Sequence, residues 1–190
     1  SAASAFGAVA PLNRPRGVNT ESSAGNLFAA GARSFSIWTS TGSQVYDSGN
    51  TLEIEAAARG IYDDGRSRDK GVEPEGATVH AIGGRRYAFI GLERTLDSAV
   101  AIFDVTDPYN VSFVDMIVTP GDRAPEGLVV FSNRGRHYLV IANETVDDGA
   151  TLTNTTLYQL LVPSSGHGHH DDDCDEDHDR GREAHEDSRD

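Results

Sequence analysis

Four glutamates recur at a fixed spacing and could act together as oxygen ligands. Glu75 and Glu126 lie 51 residues apart, and so do Glu93 and Glu144. Carboxylates that gather at one place repel each other unless a cation or an arginine compensates their charge. Hard cations such as Ca²⁺ and Mg²⁺ prefer oxygen ligands of this kind. If the fold brings these side chains together, the pattern predicts a divalent-cation site with Ca²⁺ as its cofactor.

The same glutamates also have a purely structural interpretation. Each could accept backbone N–H bonds in a tight turn between repeats, or pair with Arg66, Arg94 or Arg123. A turn that defines the fold must recur wherever the fold recurs, so the spacing agrees with either role. Both interpretations stay open at the level of sequence.

A second set of potential ligands lies near the end of the sequence. Imidazole, carboxylate and thiolate groups together suit a transition metal such as Zn²⁺, Ni²⁺ or Cu²⁺. The segment 164–190 has almost no apolar residue to bury, which predicts a disordered tail and weak, overlapping metal sites. The alternatives are a tail that only solvates the protein and a tail that binds metal or mineral as its function. The candidate ligands are His167, His169, His170, Asp171, Asp172, Asp173, Cys174 and His178.

No familiar catalytic motif stands in the sequence, and we assign no catalytic residue. A Gly-x-Ser-x-Gly elbow, a phosphate-binding loop and a His-Glu-x-x-His pair are all missing from it. His80 and His137 are predicted to be packed or surface side chains. A calcium-dependent esterase or phosphatase-like hydrolase that uses the four glutamates is the enzymatic alternative.

An internal repeat predicts the elements that carry the glutamates. The tripeptide at 74–76 recurs at 125–127, and the same shift relates Tyr87 to Tyr138. Within each unit, short β-rich runs end at turn signals, such as the glycine pair at 83–84. Four short strands followed by a second copy are typical of β-propeller blades. A β-sandwich is the less favoured alternative, because its strands do not repeat in groups of four.

Propeller geometry predicts where the glutamates lie. The innermost strand of a blade starts at the edge where the second strand ends, so Glu75 should lie opposite Glu93 and Glu126 near Glu144. Both pairs are then expected at the mouth of the central channel. The predicted fold is all-β, with about two and a half four-stranded blade units. Its parts are an irregular arm at 1–26, blade units at about 27–49, 72–118 and 123–163, and the tail at 164–190.

Charge and composition exclude some classes of partner. The net charge of −14 argues against nucleic acid and against anionic membranes, which both require a basic surface. In the last twenty residues, Asp and Glu outnumber Arg by eleven to three. The sequence contains no apolar run long enough for a transmembrane segment.

Several features favour secretion. The start is rich in Ser and Ala, as in a mature N-terminus left by signal-peptide cleavage, although an arbitrary cut would look the same. Asn110, Asn143 and Asn154 each begin a glycosylation sequon. Cys174 is the single cysteine, so a disulfide could form only between chains. The expected location is secreted, extracellular or at the cell surface, with the periplasm as an alternative.

Five segments resemble one known family, over about residues 30–163. The pattern is similar to that of the choice-of-anchor I domain family, whose animal members are mesenchyme-specific cell surface glycoproteins. The resemblance implies an extracellular or surface-attached propeller, of which this chain matches the C-terminal blades. It also implies a structural, assembly or interaction module, completed by other chains or by copies of itself. The segments are 31–38, 46–49, 66–76, 124–128 and 142–144.

Overall fold

Three antiparallel sheets follow one another along the chain. The computed structural model describes residues 33–144 and 153–161. Within these residues the sheets have two, four and three strands, which we call the first, second and third blades. The all-β, propeller-like fold is therefore confirmed. The elements are β1 (Ser36–Trp38), β2 (Gln44–Asp47), α1 (Thr51–Ala58), β3 (Pro74–Ile82), β4 (Arg85–Leu92), β5 (Ser98–Asp104), β6 (Ser112–Thr119), β7 (Pro125–Asn133), β8 (Arg136–Asn143) and β9 (Asn154–Leu160).

The second blade has the four-stranded order β3-β4-β5-β6, in which every strand pairs with its neighbour in sequence. Gly83 and Gly84 form the turn between β3 and β4, with φ of 58° and 80°. Two consecutive residues at positive φ are what the common two-residue hairpin turn requires, and glycine adopts them without steric cost. The hairpin expected at this glycine pair is therefore present.

The 51-residue repeat is a repeat of backbone structure. Glu73 and Ala124 occupy equivalent positions, and both have a left-handed backbone, with φ of 48° and 51°. The carbonyl of Glu73 accepts the N–H of Glu93 at 3.0 Å, and that of Ala124 accepts the N–H of Glu144 at 2.8 Å. The same turn thus precedes both innermost strands and ties each one to the end of its neighbour.

Helix α1 covers one face of the second blade. The sequence at 50–58 is compatible with a helix or an extended connection, and the structure shows a helix at Thr51–Ala58. Leu52 and Ala56, one turn apart, are fully buried against the blade. At the same junction, the Phe103 ring has edge contacts with Phe35 and Phe113, at centroid distances of 4.8 and 5.4 Å.

The other face of the second blade packs on the third blade. Phe89 and Val100 of the second blade share a buried cluster with Leu139 and Ile141 of the third. The blades therefore stack face to face, as blades of a propeller do.

Some boundaries and one loop differ from the sequence interpretation. The innermost strands begin at Pro74 and Pro125, earlier than the apolar runs alone suggest. The charged, glycine-containing sequence at 63–69 predicts a solvated loop. The structure shows a 3₁₀ turn within it at Asp64–Arg66, where the Asp63 carboxylate accepts the N–H of Gly65. Phe103 corresponds to Tyr158 at a shift of 55 residues, which predicts a four-residue insertion around 147–152. This insertion, the predicted arm at 1–26 and the tail at 164–190 lie outside the described residues.

Candidate functional site

Strand pairing brings the predicted glutamates to one edge of the blades. Pro74 pairs with Leu92 and Pro125 with Asn143, so each innermost strand starts beside the end of the next strand. The register shifts immediately after both prolines, as in a β-bulge. Bulges redirect side chains, and here one occurs at Glu75 and the other at Glu126. Both blades therefore carry their glutamates at equivalent places.

Two overlapping groups of carboxylates result. Oxygens of Glu73, Glu75 and Glu93 lie within 4.8 Å of one another, and so do oxygens of Glu93, Glu126 and Glu144. We call these five residues the glutamate rim. Glu93 belongs to both groups, which the sequence did not indicate. Glu73 was missed altogether, because its equivalent in the third blade is Ala124 and the repeat does not mark it.

A glycine allows the two halves of the rim to approach. A Cβ on Gly91 would lie 3.1 Å from the carbonyl oxygen of Pro125, closer than side chains normally tolerate. Strand β4 can therefore pass close to β7, and this contact places Glu93 beside Glu126. The residue equivalent to Gly91 in the third blade is Ala142, whose position is exposed.

Burial and neighbouring carboxylates destabilise the anion of Glu93. Its side chain is 6% exposed and pairs with Arg94 at 2.6 Å. Burial raises the pKa of Glu93 above its ordinary value, and the nearby carboxylates of Glu75 and Glu73 add to this, while Arg94 opposes it. A buried carboxyl among other carboxylates favours a proton or a further cation.

Glu73 is stabilised as an anion. Its side chain is 3% exposed and pairs with Arg66 and with Lys70, the latter at 2.5 Å. Burial acts to raise the pKa of Glu73, but hydrogen bonds and charges from Lys70 and Arg66 hold it below the ordinary value. Lys70 also reaches Glu75 at 3.2 Å.

The charge of the rim is therefore compensated unevenly. On the second blade, Arg94 pairs with Glu93, one of the arginine–glutamate pairs that the purely structural interpretation predicts. Arg66 pairs with Glu73 instead of a predicted site residue. Glu126 and Glu144 are exposed, and no ion pair within residues 33–144 and 153–161 reaches them. Among the described residues, ion pairs therefore compensate the second-blade carboxylates of the rim more than those of the third blade.

A polar network holds the third blade beside Glu144. The buried Asn143 accepts a hydrogen bond from the Ser98 hydroxyl at 2.7 Å and donates to Asp122 at 3.1 Å. Asp122 also accepts from Asn154 and Thr156, each at 2.5 Å. Asn143 and Asn154, two of the three sequon asparagines, thus form hydrogen bonds at the junction between the second and third blades.

The tail candidates are not placed by the structure. His167, His169, His170, Asp171, Asp172, Asp173, Cys174 and His178 lie outside the described residues. Their role in metal binding stays a prediction.

Comparison with protein-family models matches residues 4–108 to the choice-of-anchor I domain. The match covers more than half of the 190 residues. The chain belongs to the choice-of-anchor I domain family. Choice-of-anchor domains are generally extracellular or surface-associated, and the family indicates a module related to cell-surface anchoring. The choice-of-anchor I match ends before β6, so the third blade lies beyond it.

Other comparisons add no relative. No curated protein and no solved structure matches the chain. Among the described residues, no helix has the length and apolar character needed to cross a membrane.

Proposed function

We propose that the chain is an extracellular assembly module in which the third blade is covered by a blade of a second copy. The observation that carries this proposal is the exposed apolar face of the third blade. Val129, Val140 and Leu157 lie side by side across its three strands. Val129 is 58% exposed and Leu157 is 59% exposed. Beside them, Phe131 stacks on Tyr138 at a centroid distance of 5.3 Å. We call these five residues the open face.

The internal repeat indicates what covers a face of this kind. Tyr87 and Phe89 of the second blade are the 51-residue equivalents of Tyr138 and Val140. In the second blade these residues pack against the third blade in a shared cluster. The open face therefore corresponds to a surface that elsewhere in this chain is a blade–blade interface. Contiguous apolar surface of this sort favours association in water.

Lysine on the open face is expected to prevent the association. In a chain carrying Val129→Lys and Leu157→Lys, the self-association constant should fall at least about tenfold, since burying each aliphatic side chain contributes about 1.5–3 kcal/mol. Sedimentation velocity over a range of concentrations measures this. The matched control is Ile54→Lys, which changes an exposed apolar residue on α1 and should leave association unchanged. A wild-type chain that stays monomeric at every concentration contradicts the proposal.

The second part of the proposal is that Ca²⁺ at the glutamate rim modulates the module. Glu93 supports this part of the proposal, because its buried carboxyl belongs to both three-residue clusters of the rim and has a raised pKa. An ion held by Glu93 and Glu126 would connect the second and third blades through oxygen ligands. It would also offset repulsion that Arg94 offsets only in part.

Calorimetric titration with Ca²⁺ tests the rim. Combining Glu93→Gln with Glu126→Gln should weaken binding at least about tenfold, because the amide of glutamine is a poorer ligand for a hard cation. Wild-type binding should also weaken as the pH falls through the raised pKa of Glu93, since a proton then competes with the ion. The control carries Asp171, Asp172 and Asp173 as asparagines.

The outcomes separate the alternatives. Unchanged binding in the glutamine variant contradicts the rim site, and loss confined to the asparagine control assigns metal binding to the tail. Turnover of an ester or a phosphodiester that requires Ca²⁺ and the rim glutamates would favour the hydrolase alternative.

A further inference from the structure

Two histidines meet across the junction of the second and third blades, at the end of the strands away from the glutamate rim. His80 lies near the end of β3, and His137 lies near the start of β8. Both side chains are bonded to the hydroxyl of Ser132 on β7. The distance from His80 Nε2 to Ser132 Oγ is 3.0 Å, and from Ser132 Oγ to His137 Nδ1 it is 2.8 Å.

The blade fold does not require this arrangement. The 51-residue repeat places Phe131 at the position equivalent to His80, and Arg86 at the position equivalent to His137. The repeat therefore gives no reason for two imidazoles to converge here. The rings lie edge to face with centroids 5.7 Å apart, each half-buried and reachable from solvent.

We propose that His80 and His137 bind one transition-metal ion, with the Ser132 hydroxyl or a water as a further ligand. Imidazole nitrogen is a preferred ligand of Zn²⁺, Ni²⁺ and Cu²⁺ and binds them at about 2.0–2.1 Å. Two ring nitrogens that already contact one oxygen need only small side-chain rotations to meet one ion. The site differs in chemistry from the glutamate rim, whose oxygen ligands suit Ca²⁺.

The surrounding charge decides which ions are suitable. The two hairpins beside the histidines carry exposed arginines, which disfavour a cation electrostatically. Affinity must then come from the nitrogen–metal bonds, and these are strongest for Cu²⁺ among the first-row divalent ions. The arginines are Arg85, Arg86, Arg134 and Arg136.

An ion at this site would connect two blades, because His80 belongs to the second and His137 to the third. The pair exists only in the folded chain, so binding should raise the unfolding temperature. Histidines of the tail can bind the same metals, but ligands there would not link the blades. Thermal stabilisation therefore separates this site from the tail.

The experiment compares unfolding temperatures of full-length chains with and without Zn²⁺. Wild type and Ser132→Ala should both gain several degrees with excess Zn²⁺, since water can replace the hydroxyl. The gain should disappear in His80→Asn and in His137→Asn, while a control carrying His167, His169 and His170 as asparagines should keep it. Melting of each metal-free variant checks that it still folds.

A second measurement does not depend on stability. In the tail-control background, where His167, His169 and His170 are asparagines, substoichiometric Cu²⁺ should broaden the ring NMR signals of His137, and much less when His80→Asn is added. Equal broadening in both chains overturns the proposal. So does a Zn²⁺ stabilisation that survives both single histidine variants or disappears in the tail control.

Discussion

Replacement of Phe103 by alanine is expected to lower the free energy of unfolding by about 3–5 kcal/mol. The Phe103 side chain is 0% exposed and contacts aromatic rings of the first and second blades. Its removal leaves a cavity in the buried core of the second blade, against which Phe35 and Phe113 pack. Denaturant unfolding followed by circular dichroism measures the change.

Phe131 provides the matched control for this prediction. It is also a phenylalanine on a strand, but it lies on the open face and is 39% exposed. Phe131→Ala should cost the monomeric chain less than about 1.5 kcal/mol, because the side chain is already partly exposed and its ring contact is the stacking on Tyr138. Equal losses for the two variants would mean that Phe103 does not pack between the blades as described.

Replacement of Asn143 by alanine should lower the free energy of unfolding by about 2–4 kcal/mol, because buried groups then lose their hydrogen-bond partners. The change removes one acceptor and two donors from a buried network, and it leaves the Ser98 hydroxyl and the Asp122 carboxylate with unmet hydrogen bonds. Asn143→Leu should lower the free energy of unfolding by at least as much as Asn143→Ala. The repeat has Leu92 at this position in the second blade, but leucine satisfies none of these groups.

Asn110 is the control for Asn143. Both begin a sequon, but Asn110 lies exposed in the turn between β5 and β6. Asn110→Ala should change the free energy of unfolding by less than about 0.5 kcal/mol, as is usual for surface substitutions. If Asn143→Ala is equally mild, the network does not hold the third blade to the second.

The positions of the rim glutamates could be predicted only in part from the sequence. Antiparallel pairing fixes which residues lie opposite one another, so the repeat was enough to place Glu75 beside Glu93 and Glu126 beside Glu144. The approach of Glu93 to Glu126 depends on how two blades pack. Gly91 was the available signal, because a glycine within a strand often marks a close approach of backbone.

Other parts of the site could not be predicted, because they combine side chains from separate elements. The Asn143 network uses β5, β8, β9 and a connecting loop, and the histidine pair uses three strands of two blades. Neither follows from a local pattern. Helix α1 was ambiguous for another reason. Leu52, Ile54 and Ala56 fit an alternating strand as well as a helix, and only the structure shows Ile54 exposed while the other two are buried.

Every sheet in the described chain is built from strands that are consecutive in sequence. Most pairing is therefore local along the chain, which favours rapid formation of each blade once its hairpins close. In the described residues the blades pack on their sequence neighbours, so the stability of each blade depends on its own strands and on the adjoining interfaces, as in repeat proteins. A change in the first blade can therefore reach the third blade only by way of the second, through the buried cluster of Phe89, Val100, Leu139 and Ile141 and through the Asn143 network.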